Sequence, residues 1–163
     1  MDAIKLLTQQ HAEAAGLFER FEQAGEHARS TKTQLCQKIG DALAVHNTIE
    51  EKIFYPATKS ARTEDLLQEA VEEHLSAKRI IADLVLRDEI DEQAEAKMSV
   101  LKEQVEHHVE EEENELFPKA RRLLDAARLE ELGEEMERLA AELRQDGAPR
   151  MQVPDETGDA API

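Results

Sequence analysis

Aromatic residues are scarce in this chain of 163 residues, at 3%, and tryptophan is absent. A buried core must therefore consist mainly of leucine, isoleucine, valine and alanine. Glycine and proline, which interrupt helices, are also few, with 6 and 5 copies. With 40% hydrophobic and 35% charged residues, the composition favours long amphipathic helices in water and a single all-α domain.

Positive charge is scarce as well, and the net charge is -17. Nucleic acids and anionic membrane surfaces bind clustered positive charge, so we expect neither kind of partner. The single cysteine, Cys36, excludes an internal disulfide and is expected to be a small buried residue. No apolar run is long enough to span a membrane, and residues 1–14 lack the pattern of a signal peptide. We therefore expect a cytoplasmic protein.

A motif with a histidine, a glutamate and a final proline occurs twice. HNTIEEKIFYP begins at His46, and HVEEEENELFP begins 62 residues later at His108. Each copy has a glutamate four residues after its histidine, Glu50 or Glu112, and on a helix this spacing puts both side chains on one face. An imidazole and a carboxylate so arranged form half of a metal site. The repeat therefore predicts a site with two halves.

Apolar residues recur at helical spacing over four segments, at about residues 2–24, 30–56, 63–86 and 92–124. One histidine lies in the middle of each apolar stripe, in chain order His11, His46, His74 and His108. The phase of the fourth stripe favours His108 over its neighbour His107, which lies about 100° around the helix. The offsets of 63 and 62 residues between the two pairs indicate a duplicated helical hairpin. Short connections then predict an antiparallel up-down-up-down four-helix bundle.

The chain continues beyond the bundle in two parts. Asp125 can cap a fifth helix with leucines at helical spacing, which either packs on the outside of the bundle or serves a dimer contact. Proline, glycine and aspartate then accumulate without periodicity, so we expect a disordered tail. The predicted organisation is a helical bundle with a C-terminal helix over residues 1–145 and a disordered tail over 146–163.

Six polar side chains would gather in the centre of this bundle: His11, His46, Glu50, His74, His108 and Glu112. Burying them costs free energy unless they are neutralised, and two cations would do so. A metal-free network of protonated histidines and carboxylates is the alternative, at a net cost. We favour the metal site, because the six groups converge from four helices.

Imidazole and carboxylate ligands without thiolates suit iron, zinc or manganese. Two glutamates that can each bridge a pair of ions favour a dinuclear iron centre over zinc or manganese. Ferritin-like di-iron bundles use Glu-x-x-His pairs, and no histidine of this sequence has a glutamate three residues before it. That class of di-iron protein is therefore disfavoured.

The sequence resembles the hemerythrin-like (HHE cation-binding) domain proteins over about residues 1–122. The matching stretches are LLTQQH, which ends at His11, EEHLSAKRI around His74, and both copies of the repeated motif. The resemblance implies a four-helix bundle with a non-haem di-iron centre. In that centre Glu50 and Glu112 would bridge two iron ions beside an oxo or hydroxo bridge (Fe-O-Fe or Fe-OH-Fe). The implied metal ligands are His11, His46, Glu50, His74, His108 and Glu112.

The third helix departs from the pattern of the oxygen-carrying hemerythrins, which have His-x-x-x-His there. Lys78 follows His74 at this spacing, so one nitrogen ligand is missing. An extra water or a neighbour such as Glu51, Glu73 or Glu113 would replace it, or the site is more open. Reversible oxygen carriage is therefore disfavoured. An open position on redox-active iron favours chemistry with dioxygen, peroxide or nitric oxide.

Other functions stay open at this point. An iron or redox sensor would use metal loading to order the bundle, and a plain helical interaction module would need no metal at all. Enzymatic activity toward peroxide or dioxygen is compatible with such a centre. Tyr55 is expected to be a packed ring with a solvent-exposed hydroxyl, or else a hydrogen-bonding or redox neighbour of the site.

Overall fold

The computed structural model describes residues 1–25 and 27–163, and the regular structure of these residues is helical. The α-helices are α1 (Ala3–Gln23), α2 (Arg29–Ile49), α3 (Tyr55–Thr58), α4 (Glu64–Val85), α5 (Glu92–Glu111), α6 (Phe117–Leu123) and α7 (Ala126–Gln145). Two π-helical segments, Glu50–Phe54 and Glu112–Leu116, join α2 to α3 and α5 to α6, and a 3-10 helix covers Pro149–Glu156. Glu26, in the predicted connection after the first helix, lies outside the described residues. Over the described parts of the chain, no helix is both long and apolar enough to cross a membrane.

Aspartates begin three of the helices. The side chains of Asp2, Asp91 and Asp125 each accept a hydrogen bond from the backbone N–H three residues ahead, at 2.8–2.9 Å. Such caps satisfy donors that the first turn leaves free, and the predicted cap of the fifth helix is confirmed. Thr63 precedes α4 as predicted, but its hydroxyl donates to the carbonyl of Thr58 and so closes the preceding turn instead.

The helices α1, α2, α4 and α5 form the four-helix bundle, and their shared cores show its antiparallel order. The first apolar cluster joins the beginning of α1 (Leu7), the end of α2 (Ile49), the beginning of α4 (Leu67) and the segment after α5 (Leu116). The second apolar cluster joins the opposite ends of the same helices. The four central histidines lie between the two clusters along the chain. The predicted fold class is confirmed.

Cys36 is buried in the second apolar cluster, as expected from the sequence. Its Sγ atom lies 3.8 Å from Sδ of Met98. Burial raises the pKa of the thiol to about 11, so it stays protonated near neutral pH and is a packing residue.

The fifth helix, α7, packs against α1 and α2 at the first apolar cluster. Leu129, Leu132 and Met136 are buried there, so the predicted packing on the outside of the bundle is confirmed. A Cβ atom at Gly133 would collide with the backbone carbonyl of Met1, so glycine allows α7 to lie directly against the N-terminus. The helix thereby closes one side of the bundle.

The prediction of a disordered tail is wrong for residues 149–156. This segment forms a 3-10 helix that packs across α2 and α4. Val153 is 1% exposed in the second apolar cluster, and Arg150 lies 3.0 Å from the carboxylate of Asp41. A second ion pair joins Glu156 to Lys78. One buried valine and two ion pairs therefore hold the segment, and none of them produces a periodic pattern that the sequence could show.

Deleting residues 148–163 is expected to lower the free energy of unfolding by about 2 kcal/mol, mainly because the burial of Val153 is lost. Urea unfolding followed by circular dichroism measures the change. Met151→Ala is a matched control, because Met151 lies in the same segment and is 51% exposed. A deletion variant with the unfolding midpoint of the full chain would show that the tail does not stabilise the bundle.

Candidate metal centre

The six polar side chains predicted for the centre meet between the two apolar clusters, and each is at most 7% exposed. They form two groups of candidate ligands that share Glu50. Within each group the ligand atoms lie within 4.8 Å of one another. The first group is His11, His46, Glu50 and Glu112, and the second group is Glu50, His74 and His108. The side chain of His107 is 61% exposed, so the choice of His108 as the inward histidine agrees with the geometry.

Both glutamates of the centre begin a π-helical segment. The backbone N–H of Tyr55 donates to the carbonyl of Glu50, and that of Phe117 to the carbonyl of Glu112, five residues back in each case. Such turns are rare and often mark functional sites. In an α-helix the fifth residue ahead lies about 140° around the axis, whereas a π turn brings it back toward the same face. The aromatic ring five residues after each glutamate therefore reaches the centre.

Four atoms of the first group are buried without a hydrogen-bond partner among the described residues: Nε2 of His11 and His46, and Oε1 of Glu50 and Glu112. The Nε2 atom of His46 lies 3.1 Å from Glu50 Oε1, and that of His11 lies 3.3 Å from Glu112 Oε1, but neither pair is aligned for a hydrogen bond. One unsatisfied buried polar atom costs about 1–3 kcal/mol. The four unsatisfied atoms converge, which indicates a common partner. Two imidazole nitrogens and two carboxylate oxygens are suitable ligands for a metal cation.

The hydroxyl of Tyr55 lies at the centre of the second group, and the residue is 0% exposed. Its oxygen is 3.0 Å from Oε2 of Glu50 and 3.1 Å from Oε2 of Glu112. It is also 3.2 Å and 3.4 Å from Nε2 of His74 and His108. The expectation of a solvent-exposed hydroxyl is wrong, and the alternative, a hydrogen-bonding neighbour of the site, is confirmed.

Each of the four histidines has a hydrogen-bond partner at Nδ1, the ring nitrogen that points away from the centre. The partners are Glu113 for His11 at 2.8 Å, Gln10 for His46 at 2.8 Å, Glu51 for His74 at 2.9 Å and Glu73 for His108 at 2.9 Å. Such partners fix the orientation and tautomer of a ligand histidine. The three glutamates named above as replacement ligands therefore hold the histidines from outside the centre.

Lys78, which lies at the position where the resemblance implies a further histidine, makes ion pairs outside the centre. Its Nζ atom lies 2.9 Å from the carboxylate of Glu51, which holds His74, and 3.6 Å from Glu156 in the 3-10 helix. Lys78 thus supports His74 indirectly and ties the tail to α4.

The charges of the centre shift the pKa values of its own side chains. Burial alone would raise the pKa of Glu50, but His46 and the other nearby imidazoles hold it well below its usual value. Burial alone would lower the pKa of His108, but Glu112 raises it well above its usual value. Burial and the two carboxylates also raise the pKa of Tyr55 well above its usual value. The carboxylates therefore favour positive charge beside them, whether from protons or from a cation.

A cavity of about 40 Å³ borders the four histidines. Its other walls include Ala14, Ala42, Ala77 and Val105 from the four bundle helices, and the amide of Gln10. A water molecule needs about 10–15 Å³ of such space. The cavity therefore has room for molecules of a few atoms.

Comparisons with known proteins agree with this geometry. The family described as the hemerythrin HHE cation binding domain matches residues 2–120, a range that contains all six candidate ligands. A crystal structure of a hemerythrin HHE cation binding domain-containing protein from Mycobacterium kansasii is similar with a TM-score of 0.76, at 24% sequence identity, over 94% of this chain and 99% of that one. At this identity the likeness shows the fold, and no curated protein matches the sequence. The family match covers most of the chain, which therefore belongs to the hemerythrin HHE cation-binding domain family.

Proposed function

We propose that this protein is a non-haem di-iron protein that binds or reacts with dioxygen, peroxide or nitric oxide. The observation that supports this most is the pair of ligand groups joined by Glu50, one of which has four converging buried atoms without partners. Imidazole and carboxylate donors suit iron. The six proposed metal ligands are His11, His46, Glu50, His74, His108 and Glu112.

Bound iron would supply redox chemistry and an open coordination position. The chain supplies the position and orientation of the donors. Glu50 presents Oε1 to His46 at 3.1 Å and Oε2 to His74 at 3.0 Å, so one carboxylate spans both groups. The Nδ1 partners keep the four Nε2 atoms directed inward, and the two apolar clusters on either side keep bulk water out.

One difference between the two hairpins is a ring hydroxyl at the centre. Tyr55 belongs to the first repeated motif, and the residue 62 positions later in the second motif is Phe117, which has no hydroxyl. Both rings stack on a histidine, Tyr55 on His74 and Phe117 on His11. We infer that the Tyr55 oxygen takes the place of the nitrogen ligand that Lys78 does not provide, because this oxygen lies within 3.4 Å of four ligand atoms.

The 40 Å³ volume of the cavity supports a ligand of a few atoms. Its walls combine the four histidines and other polar side chains with aliphatic ones such as Ala14, Ala77 and Val105. Dioxygen, hydrogen peroxide and nitric oxide are small enough to enter such a space.

Elemental analysis and an optical spectrum of the purified protein test this proposal. We expect two iron ions per chain and a change of the visible spectrum when peroxide is added. His46→Leu/His108→Leu should abolish iron binding. His27→Leu, at an exposed position in the connection between α1 and α2, should retain it. A protein without iron, or with iron that does not respond to dioxygen, peroxide or nitric oxide, would contradict the proposal.

An iron or redox sensor is the second candidate function. The location of the centre between two apolar clusters favours it, because metal loading would then alter the stability of the whole bundle. The same preparations distinguish the two functions. Equal rates of proteolysis with and without iron would contradict sensing by folding and leave the di-iron proposal intact.

A further inference from the structure

The C-terminal tail, residues 146–163, crosses the outside of the bundle from one apolar cluster to the other. Val153 is buried in the second apolar cluster, and Ile163 packs against the first. Between these two points the guanidinium of Arg79 on α4 donates hydrogen bonds to the backbone carbonyls of Thr157 and Gly158, at 3.2 Å and 3.3 Å. The tail therefore passes the layer of histidines and glutamates along α4.

Side chains of alternating charge form a row from the tail to the buried centre. Glu156 Oε1 lies 3.6 Å from Nζ of Lys78, and this Nζ lies 2.9 Å from the carboxylate of Glu51. The carboxylate of Glu51 in turn lies 2.9 Å from Nδ1 of His74. The other ring nitrogen of His74 faces Glu50 inside the centre, at 3.0 Å. The tail is thus joined to a candidate metal ligand through Lys78 and Glu51.

The two inner members of this row are buried, with side chains of Lys78 and Glu51 that are 8% and 9% exposed. The attraction between two charges weakens when water reaches them. Glu156 lies against Lys78, so withdrawal of the tail would admit water to the ion pair and loosen the hold of Lys78 on Glu51. Glu51 would then hold His74 less firmly. Metal affinity depends on such partners behind the ligands.

The first hairpin repeats only part of this row. Glu113, 62 positions after Glu51, is the equivalent partner and lies behind His11. The side chain of Glu113 is 39% exposed. The residue 63 positions before Lys78 is Ala15, which is exposed and carries no charge. Among the described residues, the complete row therefore reaches His74 and has no counterpart at His11.

We propose that the tail controls the metal affinity of the second ligand group. When Glu156 is docked on Lys78, Glu51 and His74 are held for tight metal binding, and release of the tail weakens that binding. Lys78 is a positioning residue in this device, because it acts through Glu51.

The coupling must act in both directions. If the docked tail strengthens metal binding by some factor, a metal ion in the second group favours the docked tail by the same factor. This inference rests on the proposed function in one respect, since the second group must hold a metal ion. It requires neither iron nor a reaction with dioxygen.

The first test is a cobalt(II) titration of the metal-free protein that resolves two binding steps by optical absorption. Glu156→Gln should weaken one step about 3-fold, because a half-exposed ion pair is weak. Lys78→Met should weaken the same step about 10-fold, and Lys78→Arg should restore most of the affinity. The control is Asp155→Asn, which removes an exposed carboxylate next to Glu156 and should change neither step.

The other binding step separates positioning from a general loss of stability. It should stay unchanged in Glu156→Gln and Lys78→Met, whereas Glu113→Gln, behind His11, should weaken it. Equal weakening of both steps would show that Lys78 and Glu156 stabilise the bundle without positioning His74. Unchanged titrations of both variants would likewise overturn the proposal.

The second test follows amide hydrogen exchange of residues 149–156 with and without cobalt(II). In the unaltered protein, the loaded form should exchange about 3-fold more slowly, the factor expected from the titration. In Glu156→Gln this difference should disappear. Equal exchange in the loaded and metal-free unaltered protein would overturn the coupling and leave the di-iron proposal intact. If the unaltered protein binds no second ion, the di-iron proposal fails and the coupling fails with it.

Discussion

Replacing Glu50 with alanine is expected to abolish the binding of both metal ions. One carboxylate oxygen faces His46 and the other faces His74, so a single substitution removes a donor from each ligand group. Removal of a residue that hydrogen-bonds to a metal ligand typically weakens metal binding about 10- to 100-fold. Loss of a ligand that both ions share should weaken metal binding by more than this. Elemental analysis after dialysis measures bound metal, and circular dichroism shows whether the variant stays helical.

Two control variants make this result specific. Glu110→Ala removes an exposed glutamate from α5 and should retain the full metal content. Glu113→Ala removes the partner behind His11 and should weaken metal binding without abolishing it. A Glu50→Ala protein that is folded and retains one tightly bound ion would show that the two halves bind metal independently, contrary to the shared carboxylate.

Replacing Tyr55 with phenylalanine is expected to weaken the binding of one metal ion about 10-fold or more, and to leave the other nearly unchanged. The substitution removes one oxygen atom and retains the ring, whose centroid lies 5.5 Å from that of His74. The lost oxygen is surrounded by ligand atoms of the second group, whereas the first group has its four donors without it. A metal titration that resolves two binding steps measures the effect.

The reciprocal substitution, Phe117→Tyr, provides the matched variant. Phe117 stacks on His11 at 5.8 Å with the rings 2° from parallel, so an added hydroxyl would enter the first group from the equivalent position. If the Tyr55 hydroxyl is a metal ligand, Tyr55→Phe and Phe117→Tyr should alter different steps of metal binding. Identical titrations of the unaltered protein and of Tyr55→Phe would show that this hydroxyl is a hydrogen-bonding neighbour without a role in metal binding.

The bundle and its six central side chains could be predicted from the sequence because both depend on one regular period. Each of His11, His46, His74 and His108 interrupts an apolar stripe at helical spacing, and the stripe determines which way the histidine points. The same phase separated His108 from His107. The cap at Asp125 and the fifth helix followed from equally local signals.

Tyr55 and the tail could not be placed in this way, for different reasons. The π-helical segment after Ile49 changes the angular position of every later residue, so a constant helical period directs Tyr55 away from Glu50. No residue type signals such a segment in advance. The 3-10 helix is held by Val153 and by Arg150, which depend on the surfaces of α2 and α4 rather than on a pattern within the segment.

The division of the apolar core into two clusters has a consequence for the cooperativity of unfolding. Each cluster joins one set of helix ends, and the charged layer of histidines and glutamates lies between them. Without a cation, four buried polar atoms of this layer have no hydrogen-bond partner among the described residues, which weakens the coupling between the two ends. A cation held by residues of both hairpins cross-links the layer, because opening either end would break the same bonds. Metal binding would therefore strengthen the coupling between the two ends of the bundle and make its unfolding more cooperative.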